Sequence, residues 1–353
     1  MANDLQSNII RVDKIGSAAA RLNLPHDILV NKANTEPRSG DVVVVRALGE
    51  SATYGNIELA NGRLARITTG DILVGVLGAR RALKGFVGDV PKSISAGDHL
   101  NLLNMGGVIG ICSGHHSSLS DAIAVEVLGS ACSPSGKTIN IGDGALAPAN
   151  TLDPSAPIIV IAGTCMNSGK TVAATEIIKQ ASHRGLRVAG AKLTGVAALR
   201  DTLNMQDHGA FVTASFMDCG LPSTANVDDL VPTAKSILNH LNSLSPNLIV
   251  VELGDGIVGG YSVDSVLKDI EFQTAFTTFV FCASDYVGVI GGSTVLARFG
   301  LNIDVVAGSV TDSQMGEDYL TSQFGYTAGN ARRDGSRLFE IAYAPVHKLK
   351  IAA

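Results

Sequence analysis

The segment Gly163-Thr164-Cys165-Met166-Asn167-Ser168-Gly169-Lys170-Thr171 follows the apolar run 158–162 and opens a helical pattern. A buried strand there delivers a turn of small residues with exposed backbone N–H groups, and a helix N-terminus adds its positive dipole end. That combination suits a phosphate. Lys170 would reach the β- and γ-phosphates, and the Thr171 hydroxyl would bind Mg²⁺. Gly163, Thr164, Asn167, Ser168, Gly169 and Val172 complete the expected cradle. The usual spacing, Gly-x-x-x-x-Gly-Lys-Ser/Thr, puts its first Gly at 164, where this chain has Thr164. A second Gly-Lys-Thr, in Ser135-Gly136-Lys137-Thr138, runs into a short strand and turn. It has no helix dipole behind it and reads as a surface turn.

More charged groups fall near this loop in the expected topology. Glu252 ends the apolar run 248–251 and precedes Leu253-Gly254-Asp255-Gly256. An acid at the tip of a buried strand beside a phosphate loop orders Mg²⁺ or its water shell. Lys192 ends the second strand and points over the same crevice, where it would hold a substrate carboxylate or a transferring phosphoryl group. Asp201, Asp207 and Asp255 are alternative second Mg²⁺ ligands, the first two in what reads as a polar loop. Cys165 reads as a spacer whose backbone matters. His115-His116 lacks a further metal ligand at a suggestive spacing and reads as a surface turn.

The elements that position these groups divide the chain. Residues 1–148 carry Gly-Asp turns at Gly40-Asp41, Gly70-Asp71, Gly88-Asp89, Gly97-Asp98 and Gly142-Asp143. Between them lie β-type runs at 42–45, 72–77, 100–103, 108–112 and 122–128, which predict a β-rich domain, a barrel or a sandwich. Residues 149–156, inside the Pro-rich stretch 145–157, form a linker. From 157 to 353 strands and helices alternate. Strands are expected at 158–162, 186–193, 248–253, 279–283 and 303–307. Helices are expected at 170–184, 228–244 (capped by Asn226), 263–276, 293–299 and 314–324. The fold class is therefore α/β: a mostly parallel sheet covered on both faces, with ligands at the carboxyl ends of its strands, preceded by the β-rich domain.

Composition bounds the rest. A chain of 353 residues exceeds the growth limit of a single core. Its net charge of −5, without a Lys/Arg block, gives nucleic acid and anionic membranes no electrostatic footprint. Residues 1–11 lack the layout of a signal peptide, and no apolar run reaches membrane-span length. Five scattered cysteines read as free thiols in a cytoplasmic protein.

Residues 157–325 resemble dethiobiotin synthetase and its relatives among P-loop ATPases, which include the cobyrinic acid amidases and MinD-type proteins. The loop is similar to that family's Gly-Thr-x-x-x-x-Gly-Lys-Thr. Val188-Ala189-Gly190-Ala191-Lys192 is similar to its second strand, and Val250-Val251-Glu252-Leu253-Gly254-Asp255-Gly256 to its Val-Glu-Gly-x-Gly-Gly strand end. Residues 284–308 match the layout leading to its nucleotide-base loop. The resemblance assigns Gly169 and Lys170 to phosphate, Thr171 and Glu252 to Mg²⁺, Lys192 to the substrate or transferred group, and Asp207 to the second metal position. It implies ATP and Mg²⁺ as cofactors and a homodimer. Loop 309–312 stands at the base-recognition position without the family's Asn. The signature lysine of MinD-type loops is absent, and dethiobiotin synthetase has no β-rich domain in front. The two-part architecture also resembles the P-loop amino-acid N-acetyltransferases, in which the loop would hold acetyl-CoA.

These readings lead to a Mg²⁺-ATP-dependent, ligase-like or kinase-like enzyme acting on a small carboxylate or amine. The alternatives are an acetyl-CoA-dependent N-acetyltransferase and a nucleotide-switched regulatory ATPase.

Overall fold

Val42 to Val45 are all buried, so their strand, Val42–Ala47, needs cover on both faces and partners on both edges. A computed structural model of the chain, which describes residues 7–33 and 36–352, shows how it obtains them. Residues 1–6 of the stretch examined for a signal peptide lie outside the described residues.

Val42–Ala47 pairs antiparallel with Ala124–Ala131 and with Ile72–Leu77. Ile72–Leu77 pairs parallel with Val108–His115. His99–Leu102 then pairs with Val108–His115 on one edge and Ala124–Ala131 on the other. The pairing returns to its start, so the sheet is a barrel and these strands keep no free edge. Val43, Val45, Leu73, Ile109, Val125 and Val127 belong to its buried cluster.

The Gly-Asp turns share one device. Asp41, Asp71, Asp98 and Asp143 each accept a hydrogen bond from the backbone N–H three residues back, at 2.8, 2.6, 2.7 and 3.0 Å. Gly88-Asp89 is the exception and lies inside the strand Phe86–Asp89.

The chain divides into two units. The first comprises Met1–Leu146 with two later returns of the chain, Val196–Arg200 and Met217–Ala225. The returns are tied within that unit. Asn104 Nδ2 donates to the Ala197 carbonyl at 2.7 Å, and the Leu199 N–H donates to Glu58 at 2.7 Å. Val196 and Ser223 form an antiparallel bridge. The Ala197 carbonyl lies so close to Gly106 that a Cβ there would sit 1.9 Å from its oxygen. Only glycine fits at 106.

The second unit holds a six-stranded sheet in the order Val212–Ser215, Val188–Thr194, Leu248–Leu253, Ile158–Gly163, Phe276–Cys282, Val305–Ala307. All its pairs are parallel. Helices α1 (Lys170–His183), α2 (Arg200–Asp207), α3 (Val231–Ser243), α4 (Val263–Lys268), α5 (Ile270–Ala275), α6 (Tyr286–Ala297), α7 (Gln314–Phe324) and α8 (Gly335–Ala352) connect or flank the strands. Ile159, Ile161, Val250 and Val280 share a buried cluster with Ile177 of α1 and Leu338 and Ala342 of α8. Their alternates Ile158, Val160 and Val251 are equally buried, so both faces are covered. Among the described residues, no helix is long and apolar enough to cross a membrane.

Several elements differ from the expected ones. The helix expected from 228 begins at Val231, because Pro232 belongs in a first helical turn and not in an interior. Asn226 takes a left-handed φ of 62° and does not cap it. The helix expected at 263–276 is two helices. Asp269 breaks it in extended conformation and caps α5 by accepting from the Phe272 N–H at 3.0 Å. The helix expected at 293–299 is α6, whose glycines resemble a turn in the sequence. Gly292 is required there because a Cβ would fall 2.2 Å from the Phe281 ring. The polar loop carrying Asp201 and Asp207 is the helix α2. Strand Val212–Ser215 and helix α8 were not among the expected elements.

Leu338 of α8 is fully buried in the sheet cluster. Leu338→Ala is expected to lower unfolding free energy by about 2–5 kcal/mol in chemical denaturation. A loss below about 1 kcal/mol would mean that α8 is not part of this core.

Candidate functional site

The loop after Ile158–Gly163 is met by the chain at the ends of Leu248–Leu253, Phe276–Cys282 and Val305–Ala307. Residues 164–169 lead from Ile158–Gly163 into α1. Asn167 and Gly169 take left-handed φ values of 65° and 101°, which turn the chain sharply into the helix. No side chain caps α1, so its first N–H groups and its dipole are open to an anion. The loop is clamped from behind. A Cβ on Gly308 would lie 2.2 Å from the Ser168 carbonyl, and one on Gly256 2.3 Å from the Thr164 carbonyl. Those glycines let two neighbouring strand ends press on the loop and hold its shape.

Lys170, 6% exposed, donates to the Cys165 carbonyl at 2.6 Å. Burial lowers its pKa, nearby Lys192 lowers it further, and Glu252 partly restores it. Glu252, 1% exposed, is shared. Its Oε1 accepts from the Thr171 hydroxyl at 2.9 Å and from Lys192 Nζ at 2.6 Å. Lys192 also meets Asp201 Oδ2 at 2.7 Å. Burial works against the Lys192 charge, but Asp201 and then Glu252 outweigh it and raise its pKa. Glu252 Oε2 and Asp255 Oδ1 are buried with no hydrogen-bond partner.

These orphaned oxygens and the Thr171 hydroxyl fit a hard divalent cation, which takes one or two carboxylates and completes its shell with phosphate oxygens and water. Among the described residues no group of three or more His, Cys, Asp or Glu forms a ready metal site, so such a cation would need the phosphate. Asp207 does not join the group. It is exposed on the last turn of α2, and the carboxylate that reaches Lys192 is Asp201, at the other end of that helix.

A cleft of about 320 Å³, open to solvent, extends from the loop, with Asn167, Gly169, Val172, Ser309, Asp312, Asn330 and Arg332 on its walls. Asn330 organises one wall. Its Nδ2 donates to Asp312 Oδ1 at 2.9 Å and to Thr311 Oγ1 at 3.0 Å. Its Oδ1 accepts from the Arg332 and Arg333 N–H groups at 2.9 and 2.8 Å. Arg333 in turn bonds the Thr311 carbonyl and buried Glu317. Asn330 was missed in the sequence because nothing marked the start of α8 that follows it. His115 ends the strand Val108–His115 and bonds Asp121, and His116 just after it bonds Ser118.

No protein-family model matches the chain, and no curated protein matches it. Solved structures do. The signal recognition particle 54 kDa protein of Aeropyrum pernix K1, in complex with GDP, is 16% identical at a TM-score of 0.37, covering 56% of this chain and 50% of that one. The signal recognition particle receptor FtsY of Elizabethkingia anophelis, in complex with GDP, is 10% identical at 0.36, covering 57% and 68%. The cell division protein FtsY of Thermotoga maritima is 15% identical at 0.36, covering 55% and 72%. The chain thus spans only half of the first of these proteins. The expected ATP-dependent ligase-like or kinase-like enzyme is corrected: the matched structures are of signal recognition particle and cell division proteins, not of ligases or kinases. Nothing among them singles out dethiobiotin synthetase.

Cys282 lies under the loop, and burial pushes its thiol up to about 12. Iodoacetamide at pH 8 is expected to alkylate half-buried Cys165 in the native protein and to leave Cys282 unmodified. Native labelling of Cys282 would contradict the packing described.

An inner strand, a clamped loop and an uncapped helix in a six-stranded parallel sheet give the second unit an α/β fold with a P-loop arrangement.

Proposed function

We propose that the second unit binds a Mg²⁺–purine nucleotide and that the protein is a nucleotide-switched regulator. The observation that carries this reading is the half-made cation shell. Thr171 and Glu252 already touch at 2.9 Å beside the open N-terminus of α1, while Glu252 Oε2 and Asp255 Oδ1 are buried and unpaired. The phosphates would take the loop N–H groups and Lys170, and the cation would join them to Glu252.

The base would lie in the cleft against Asp312. A carboxylate fixed by Asn330 presents acceptors only. Guanine offers two adjacent donors on its pairing edge, its ring N1–H and exocyclic amine. Adenine offers one donor beside an acceptor, which would face the carboxylate. The cleft therefore supports guanine where the sequence resemblance implied ATP.

Titration calorimetry with Mg²⁺-GDP, Mg²⁺-GTP, Mg²⁺-ATP and acetyl-CoA, on the wild type and Lys170→Ala, tests this reading. Guanine nucleotides are expected to bind, and Lys170→Ala to weaken them at least tenfold, roughly the value of one charge-assisted hydrogen bond. Binding of acetyl-CoA alone would remove the cation role of Glu252. Asp312→Asn should cut the guanine-over-adenine preference by about 1–3 kcal/mol, the value of a paired base-edge contact. An unchanged preference would move the base away from Asp312.

A further inference from the structure

One oxygen of Glu252 carries two donors while its other oxygen carries none. Oε1 accepts from Thr171 and from Lys192, at 2.9 and 2.6 Å, and Oε2 is buried without a partner. Lys192 does not depend on Glu252 alone. Its ammonium meets Asp201 Oδ2 at 2.7 Å, and that carboxylate is 33% exposed where Glu252 is 1% exposed. Room for the ammonium comes from Gly254, where a Cβ would lie 3.0 Å from Nζ. Sheet register fixes the arrangement, because Lys192 and Glu252 are direct partners on adjacent parallel strands.

Two cations cannot share one buried carboxylate without strong repulsion. A divalent ion seated on Thr171 and a nucleotide phosphate needs Glu252, the residue that Lys192 holds. Asp201 offers the ammonium a second, better-hydrated seat, and it lies in the first turn of α2.

Resting on the nucleotide-binding reading above, we propose that Lys192 is a positioning residue that competes with the divalent cation for Glu252, with Asp201, which it already touches, as the seat that it keeps when the cation binds. The cation requirement of the site is then set by the balance of two carboxylates around one lysine. The position of the first turn of α2 follows the occupancy of Glu252.

The test is the Mg²⁺ concentration that half-saturates binding of a fluorescent GDP analogue, measured in the wild type, Lys192→Met and Asp201→Asn. Removing the competitor should lower that concentration about tenfold or more, the size of effect that a single adjacent charge has on a buried ionisable group. Removing the alternative seat should raise it severalfold, because Lys192 is left with Glu252 alone. Amide hydrogen exchange over 200–207 in the wild type should change on adding Mg²⁺ with the analogue, and this change should shrink in Asp201→Asn.

Shifts of both variants in the same direction would overturn the proposal, as would a raised Mg²⁺ requirement in Lys192→Met. If Lys192→Met does not fold, Asp201→Asn decides alone, and an unchanged or lowered requirement overturns the proposal. Absence of any Mg²⁺-dependent binding in the wild type overturns the nucleotide reading itself. Normal wild-type binding with unshifted variants removes only the competition.

Discussion

Glu252 is an acid at the end of a strand whose every residue is buried, and its charge has to be met from the sides. A buried carboxylate left without cations or donors would cost several kcal/mol. Parallel register solves this. It sets Lys192 opposite Glu252 on one neighbouring strand, and Ile161, two residues before the loop, on the other. The same register therefore brings a cation and the start of the phosphate cradle to one carboxylate. Thr171 can reach it because α1 begins where the loop ends. Moving Leu248–Leu253 by one residue would turn Glu252 to the other face and away from these partners.

The loop itself depends on what lies behind it. A cradle for an anion must keep its N–H groups pointing outward without collapsing onto its own carbonyls. Lys170 already bonds the Cys165 carbonyl, and Gly256 and Gly308 bring backbone against the loop from neighbouring strand ends. Rigidity of this kind comes from close approach, which any side chain at those glycines would forbid.

The sequence showed the local parts of this design and concealed the distant ones. Strand, loop and helix around Lys170 were legible because their signals are contiguous: an apolar run, small residues, then a 3.6-residue period. Glu252 and Lys192 were legible for the same reason, each ending an apolar strand. The residues alone could not rank Asp201 and Asp207, which only the resemblance separated in favour of Asp207, since their placement depends on α2, an eight-residue helix with little apolar content to announce it. Asn330 was illegible because its role is to hold Asp312, a contact 18 residues away that has no periodic signature. The helix ends went astray where one residue decided them: Pro232 delayed α3, Asp269 split its successor, and the glycines of α6 suggested a turn where Phe281 demands small neighbours. The barrel was legible as β-rich from its Gly-Asp turns, but closure depends on His99–Leu102 pairing with two strands, which no single segment reveals.

The two returns of the chain into the first unit bear on how the protein is made. During synthesis the barrel strands leave the ribosome well before Ala197 and Leu199 exist to meet Asn104 and Glu58. At synthesis rates of about 5–20 residues per second, the barrel waits on the order of seconds with Glu58 held by the Ser17 hydroxyl and Asn104 by the Val108 N–H, each still short of its partner from the returning chain. Its final form is settled only after residue 225 has emerged, by which time the loop at Lys170 has already been made. The first unit is thus completed only while the second is being made. A genetic rearrangement that moved residues 1–146 elsewhere would carry off a barrel missing two of its own pieces.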